Sequence, residues 1–485
     1  MLTTDEIKQF IQEDIMSDRK RFAKKGMQYY EGRHDIKDYK LYYYNDDGIL
    51  CEDKYRSNVK ICHPYFKELV DQAVQYILSG KDGYIHSKNP ELQAYLDEYF
   101  NENEDFTAEL SEAITGCMTK GYDYMYAYKN HENKTAFMAA DSLGVVEVEA
   151  KFASDNEEHI IYWYVDRINK DKKLIKRIMV WDAENIHYFT QEDDGEIKPD
   201  MIFNGGNVKP HTTYQKDNDA KTYYKGFGFI PFFRLDNNKK RVSDLMPVKD
   251  LIDDYDLMAS SLSNNLIDFD TPIHIVKGFE GDSLDELQQN LKTKKLIGLE
   301  DSGGGLDIKT VDVPYQARQI KLELDEKNIY RFGMGLNTAG LKDTAATTNI
   351  AIKSAYSLLD LKCSKLEIRL KQFLRKLVKI AISEINSTNG TDYQMKDISI
   401  DFEHEVMSNA QENAQIALTE AQEQQARITT LLNLATQLDS ETLAQNICDV
   451  MDIDYEEIKH KLPKDEEADS KEAQNALNGV NVGDA

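Results

Sequence analysis

The carboxylates Asp253, Asp254 and Asp256, followed by Asp268 and Asp270, come closest to active-site chemistry by type and spacing. Clustered aspartates of this kind hold the paired divalent ions of nucleic-acid-cleaving enzymes. On a helix, however, Asp253 and Asp256 stand three apart and Asp250 and Asp254 four apart, so they share one face. The plainer reading is a solvated acidic face opposite an apolar stripe. It is preferred because a two-metal site needs a second carboxylate cluster, and the sequence offers none. The ten histidines are dispersed; His63, beside Pro64, and His404, in DFEHEV, read as surface or packing residues. Gly80-Lys81 lacks the upstream glycine of a phosphate-binding loop, and Gly226 and Gly228 sit among aromatics in an apparent strand. His-Glu-x-x-His and Gly-x-Ser-x-Gly motifs are absent. The expectation is a protein with no catalytic residue, metal or cofactor.

Two further features ask for a partner. Lys362, Lys365, Arg369, Lys371, Arg375, Lys376 and Lys379 flank an apolar stripe of Leu366, Leu370, Phe373, Leu377 and Ile380 on one long helix. Such a basic side fits an acidic neighbouring subunit better than DNA. Before that helix, GLNTAGLKDTAATT (335–348) offers small residues, Thr338, Thr344, Thr347, and the adjacent charges Lys342 and Asp343. A segment of this kind cannot build a core, so it must be mobile or lie against something narrow.

The elements that position these residues follow from periodicity. Thr3 and Glu6 have capping-box spacing, and helices are expected from there to Ile15, over 17–30, after Pro64 to a C-terminal Gly80, from Pro90, and from Phe106 to Gly121. From Tyr122 the period shortens. Tyr122–Tyr128, Thr135–Ala139, Gly144–Phe152, His159–Val165, Leu174–Trp181 and His187–Gln191 predict a meandering antiparallel sheet. Residues 195–225 read as loop and GFGFIPFFRL (226–235) as a last buried strand. Helical periodicity returns at Ser243, with a stripe of Val248, Leu251, Ile252, Tyr255, Met258, Ala259, Leu262, Leu266 and Phe269. A compact insert, a second rod from Tyr315 to Met334, a third helix from Asn349 to about Ile385, a strand over 398–406 and Gln/Ala-rich helices to Leu462 complete the chain.

Composition bounds the partners. The 485 residues carry 59 Lys+Arg against 86 Asp+Glu, a net charge of −27, which argues against a broad basic grip on a phosphate backbone. It permits nucleic acid to pass without sticking. Five scattered cysteines without a Cys-x-x-Cys pair disfavour a disulfide framework or zinc knuckle and fit a reducing compartment. No stretch approaches the ~20 apolar residues of a bilayer span, so no membrane is expected.

The order rod, insert, rod, small-residue loop, long helix resembles that of tailed-bacteriophage portal proteins, in the branch common among phages of Gram-positive hosts. The matching text is YYEGRHDI (29–36), NVKICHPYFKELVDQAVQYILSG (58–80), IPFFRLDNN (230–238), SDLMPVKDLIDDYDLMASSLSNNLIDFDTPIHIVKGFEG (243–281), TNIAIKSAYSLLDLKCSKLE (348–367) and LDSETLAQNICDVMDIDYEEIKHKL (438–462). The resemblance implies an α+β, mainly α, portal-type subunit. Residues 1–242 would form an α/β wing, 243–269 and 315–335 two stem helices, and 270–314 a small α/β clip. Residues 336–348 would form a tunnel loop, 349–406 a long helix with a returning strand, 407–462 a helical crown, and 463–485 an acidic tail without structure.

The same resemblance implies a homo-oligomer, usually of twelve subunits, at one capsid vertex of the virion. Viral double-stranded DNA would be packaged and ejected through it. The terminase large subunit and later the head–tail adaptor would dock on the clip, with Lys292, Lys294 and Lys295 there, and the major capsid and scaffolding proteins would meet the wing. Asp250, Asp253 and Asp254 would line the stem, and Thr338, Lys342, Asp343, Thr344 and Thr347 the tunnel loop. The competing readings are a tail or baseplate oligomer without DNA passage and a metal-dependent nucleic-acid enzyme.

Overall fold

The protein is described from a computed structural model covering residues 2–45, 47–54, 56–81, 83–130, 134–149, 158–169, 171–201, 206–215, 222–269, 273–277, 305–309, 314–338, 349–404, 410–434, 440–451 and 455. The described residues fall into two compact units: residues 1–340 with 355–405, and residues 341–354 with 406–485. The fold is mixed helix and sheet, as expected.

The first unit opens with helices α1 (Thr4–Ile15) and α2 (Asp18–Tyr30). The expected capping box is formed: the Thr3 hydroxyl accepts from the Glu6 amide and the Glu6 carboxylate from the Thr3 amide. Strands β1 (Tyr42–Tyr44) and β2 (Leu50–Glu52) make a small hairpin. Next come α3 (Tyr65–Ile77), β3 (Ile85–Ser87), α4 (Pro90–Leu96) and α5 (Glu104–Lys120). Asn89 caps α4 ahead of Pro90, and Gly121, at φ 91°, ends α5 in the left-handed region that suits glycine. Gly80 plays a different part from the expected cap. Its φ is not positive, and a Cβ there would lie 2.8 Å from the Glu403 carbonyl, so it is the returning chain that demands glycine.

Two sheets follow. β4 (Tyr122–Lys129) lies between β5 (Thr135–Ala140) and β14 (Phe232–Asp236). β6 (Val145–Val148), β7 (His159–Ile168), β8 (Leu174–Trp181) and β9 (Asn185–Glu192) form the expected antiparallel meander. Ile7 and Ile11 of α1 pack with Val146, Ile161, Ile178, Val180 and Phe189 of this sheet. Val145, Met179 and Trp181 pack instead with Tyr122, Tyr124 and Phe232 of the three-stranded sheet. The alternation of the meander thus buries both faces.

Residues 195–225 depart from the expected loop. β10 (Ile197–Pro199) and β11 (Val208–Pro210) both extend the free edge of β9, and β12 (Thr212–Gln215) pairs with β13 (Thr222–Lys225). Edge strands of three or four residues need no apolar alternation, so their sequence is silent. Conversely, Gly226–Pro231 is not strand, because Gly228 takes φ 79° and breaks the extension.

The later helices are α6 (Lys249–Phe269), α7 (Tyr315–Gly333) and α8 (Asn349–Asn389). Between α6 and α7, β15 (Ile273–Lys277) pairs antiparallel with β16 (Gly305–Lys309). The other elements expected in that insert, with Lys292, Lys294 and Lys295, lie outside the described residues. The α8 stripe is buried as predicted, from Leu366 through Leu370, Phe373 and Leu377 to Ile380. After it β17 (Ile398–Ile400) pairs with β3, and among the described residues of the expected 398–406 strand these three alone form strand. In the second unit, α9 (Ala410–Asn433) and α10 (Ser440–Val450) are helices within the stretch expected to be helical; the tail 463–485 lies outside the described residues.

Candidate channel site

Helix α6 is held by a line of polar residues, which overturns the expected apolar stripe. Of that stripe Val248 and Ile252 are fully buried, whereas Leu266 is exposed. The buried line continues instead through Asp256 and Ser260, at 0% and 2% exposure. Against it runs the extended segment 57–63. The amides of His63, Ile61, Val59 and Ser57 donate to Asp256 Oδ1 (2.9 Å), Ser260 Oγ (3.0 Å), Asn264 Oδ1 (2.6 Å) and Asp268 Oδ1 (3.2 Å). Four helical residues rise about 6.0 Å and two extended residues about 6.6 Å. Side chains spaced four apart therefore meet every second amide of a strand, and a segment without a sheet partner satisfies its donors on a helix.

Asp256 is accordingly no part of a solvated acidic face. It lies between His34, whose Nδ1 is 2.5 Å from Oδ2, and His63, whose Nδ1 is 2.9 Å from Oδ1. Burial alone would raise the Asp256 carboxyl, but the bonds from His34 and His63 outweigh it and hold it below the ordinary carboxylate range. His404 is a packing residue as expected, stacked on Tyr76 at 4.3 Å with Nε2 2.8 Å from Glu367.

Asp253 and Asp254 of α6 carry counter-charges within the chain. Asp253 accepts from Lys249 Nζ at 2.5 Å and from the Tyr29 hydroxyl. Asp254 pairs with Lys321 of α7 at 2.6 Å, and Lys321 also bonds the buried Asp325. Desolvation opposes the charge on Lys321, yet Asp254 and Asp325 prevail and raise its pKa. Asp250 is exposed. The acidic face carrying Asp250, Asp253 and Asp254 is thus less negative than its carboxylates alone imply.

The root of the small-residue loop is fixed firmly. Helix α7 ends at Met334, in the left-handed conformation (φ 55°), and the Gly335 amide returns to the Tyr330 carbonyl at 3.0 Å. A Cβ on Gly335 would lie 2.2 Å from Leu69 Cδ2, so α3 and the loop root can meet this closely only at glycine. Buried Leu336 is then clamped by Gln72 of α3. Its amide donates to Gln72 Oε1 at 2.9 Å and its carbonyl accepts from Gln72 Nε2 at 3.0 Å. Glu68, one turn earlier, accepts from Gln72 (3.2 Å) and from the Tyr330 hydroxyl (2.7 Å). Thr338, two residues past the clamp, is exposed. Lys342, Asp343, Thr344 and Thr347 lie outside the described residues. On α8, Lys362 turns back to Asp244 (3.1 Å) and the Gly333 carbonyl (3.3 Å), and Lys371 pairs with Asp401 (3.0 Å). Lys365, Arg375, Lys376 and Lys379 remain exposed.

The phage portal protein model of SPP1 Gp6-like proteins matches residues 10–471. The chain belongs to this portal family. The portal protein of Bacillus phage SPP1 is 25% identical over 395 residues, covering 81% of this chain and 76% of its own length. The portal protein of Clostridium phage phiCD119 is 25% identical over 405 residues, covering 79% and 86%. The match spans both α-helical rods, the insert between them and the clamp. Among the described residues no helix is long and apolar enough to cross a membrane. Gln72, Tyr330, Ser260 and Asn264 were not singled out from sequence. The one legible signal was the i, i+4 polar line Asp256–Ser260–Asn264–Asp268, interrupting what otherwise scanned as an apolar stripe.

Proposed function

We propose that this portal-family chain assembles into a closed ring of about twelve copies at one capsid vertex, through which double-stranded DNA is packaged and later ejected. The family match along residues 10–471 carries the reading. Physical support comes from α7, where Ile320, Leu324 and Phe332 are 66%, 52% and 54% exposed, and from Leu266 and Ile267 on α6, at 54% and 55%. Apolar side chains standing out of paired helices call for cover by neighbouring copies. A net charge of −27 suits a conduit that must not trap phosphates, while Lys249 and Lys321 temper repulsion between copies.

In this reading α6 and α7 are the stem helices and the insert between them is the clip that receives terminase and then the head–tail adaptor. The segment from Leu336 toward α8 is the tunnel loop. The Gln72 clamp gives that loop a fixed root at Leu336. The chain acts as structure and conduit, without catalysis. Heads assembled from the phage's own structural proteins, with and without this chain, test the reading by nuclease-protected DNA. Protection that depends on the chain is expected; equal protection without it would refute the role in packaging.

A further inference from the structure

The His34–Asp256 contact poses a problem of protons. His34 Nε2 lies 3.2 Å from the Tyr29 carbonyl, which can only accept, so Nε2 carries a hydrogen. In the neutral ring Nδ1 is then a lone pair, and it faces the Asp256 carboxylate at 2.5 Å. Two lone pairs cannot share that distance unless a proton lies between them, and that proton holds the place of a cation. Both side chains are 0% exposed, so water cannot relieve the contact. Cys62, half-buried, completes the surroundings: its Sγ, a His34 ring nitrogen and an Asp256 oxygen all lie within 4.8 Å of one another. Among the described residues this is the one such gathering of three His, Cys or carboxylate donors.

We propose that His34 Nδ1, Cys62 Sγ and Asp256 Oδ2 bind a zinc-class divalent ion. Imidazole, thiolate and carboxylate are its usual donors, with bonds of about 2.0–2.3 Å, so the donors of one ion stand roughly 3.3–3.7 Å apart. The three groups need to move by only about an ångström to reach that spacing. The outer partners are those a metal-bound ring and carboxylate require: Nε2–H of His34 donates to a backbone carbonyl, and Oδ1 of Asp256 accepts from the amide and ring of His63. Charge also balances, since one divalent cation cancels one carboxylate and one thiolate in a buried place, with the thiol proton and the proton between His34 and Asp256 released to solvent on binding. His63, at 30% side-chain exposure, leaves a side from which water can supply the fourth ligand. The ion would staple three segments distant in sequence: the turn after α2, the 57–63 segment and α6. It is a structural staple for the ladder along α6.

The test uses the purified full-length chain, stripped with chelator and loaded with Co²⁺ or Zn²⁺. A single Co²⁺ per chain with thiolate-to-cobalt charge-transfer absorption is expected, together with a higher melting temperature in Zn²⁺. Cys62→Ala should abolish the thiolate band and weaken Zn²⁺ binding at least tenfold, while Cys51→Ala leaves both unchanged. Circular dichroism of metal-free Cys62→Ala checks that it folds; should it not, Cys62→Ser takes its place. No thiolate band in the parent chain, or equal uptake by the Cys62 variant, would overturn the site and leave a proton shared between His34 and Asp256.

Discussion

Replacing Gln72 by Leu removes both bonds that clamp Leu336 while keeping a side chain of similar bulk on α3. Leu336 is 7% exposed, so water cannot readily take over its amide and carbonyl. Each lost bond costs about 0.5–1.5 kcal/mol net, and an orphaned buried group more. The Gly335–Tyr330 backbone bond and the Leu69 contact persist, so the loss is local, about 2 kcal/mol. At ~1.4 kcal/mol per decade, amide exchange at Leu336 should quicken about thirtyfold. Hydrogen exchange read by mass spectrometry on peptides spanning 334–338 measures this, with peptides from β8 as the internal reference. Gln72→Glu separates the two bonds. It keeps an acceptor for the Leu336 amide but sets a carboxylate against the carbonyl, so its effect should shrink as that carboxylate is protonated. Unchanged exchange at Leu336 in Gln72→Leu, or acceleration that is equal in β8, would refute the clamp as a local anchor.

Four further outcomes follow from the same geometry. Ser260→Ala should destabilise by about 1–2 kcal/mol and Asn264→Ala by under about 1, because only Ser260 is buried; denaturant titration ranks them, and a reversed order contradicts the ladder. Asp35, bonded to Lys25 (2.8 Å) and Lys249 (2.9 Å), titrates at about 2 because those ammonium groups outweigh its burial, against an ordinary 3.8. A lowered carboxyl stabilises above its unfolded value, and that stabilisation is lost as pH falls from about 4 through 2. The full difference amounts to ~2.4 kcal/mol, and at 42% exposure solvent screening leaves about 1. Asp35→Asn should flatten that limb of a stability–pH curve, and an unaltered slope would contradict the pairing. Gly26→Ala puts a Cβ 1.9 Å from the Thr119 carbonyl where α2 crosses α5, and should lower stability by at least about 2 kcal/mol in thermal melts. Lys342→Ala should leave ring yield intact by microscopy and change nuclease-protected DNA only modestly, as a surface ion pair with a phosphate is worth ~0–1 kcal/mol and Asp343 next in sequence offsets the charge; loss of rings would make it a subunit contact.

What could be read from the sequence was whatever is decided locally. The Thr3 box, the helix opening at Pro90, Gly121 after α5 and the long α8 stripe are each fixed by neighbours within a turn or two, and each stands where the sequence pattern put it. The misreadings concern residues whose partners are far along the chain. Asp256 scanned as a solvated charge because its ligating neighbours, His34 and His63, precede it by 222 and 193 residues. The segment 57–63 carries no alternation to betray it, since its hydrogen bonds go to a helix. Gly80 and Gly335 looked like caps or spacers, whereas close approach to Glu403 and Leu69 explains them. At the loop itself the root is positioned by Gln72, Tyr330 and Leu69. Its tip is small and polar, and nothing in its composition says what it touches.

This portal-family chain should close into a ring around a channel. Electron microscopy of the purified full-length protein, across a range of concentrations, tests it most directly. The expected particles are closed rings of uniform subunit number, pierced by a hole wide enough for duplex DNA, with α6 and α7 packed against their copies in the neighbouring subunit. Single subunits at every concentration, or open filaments and sheets in place of rings, would contradict it.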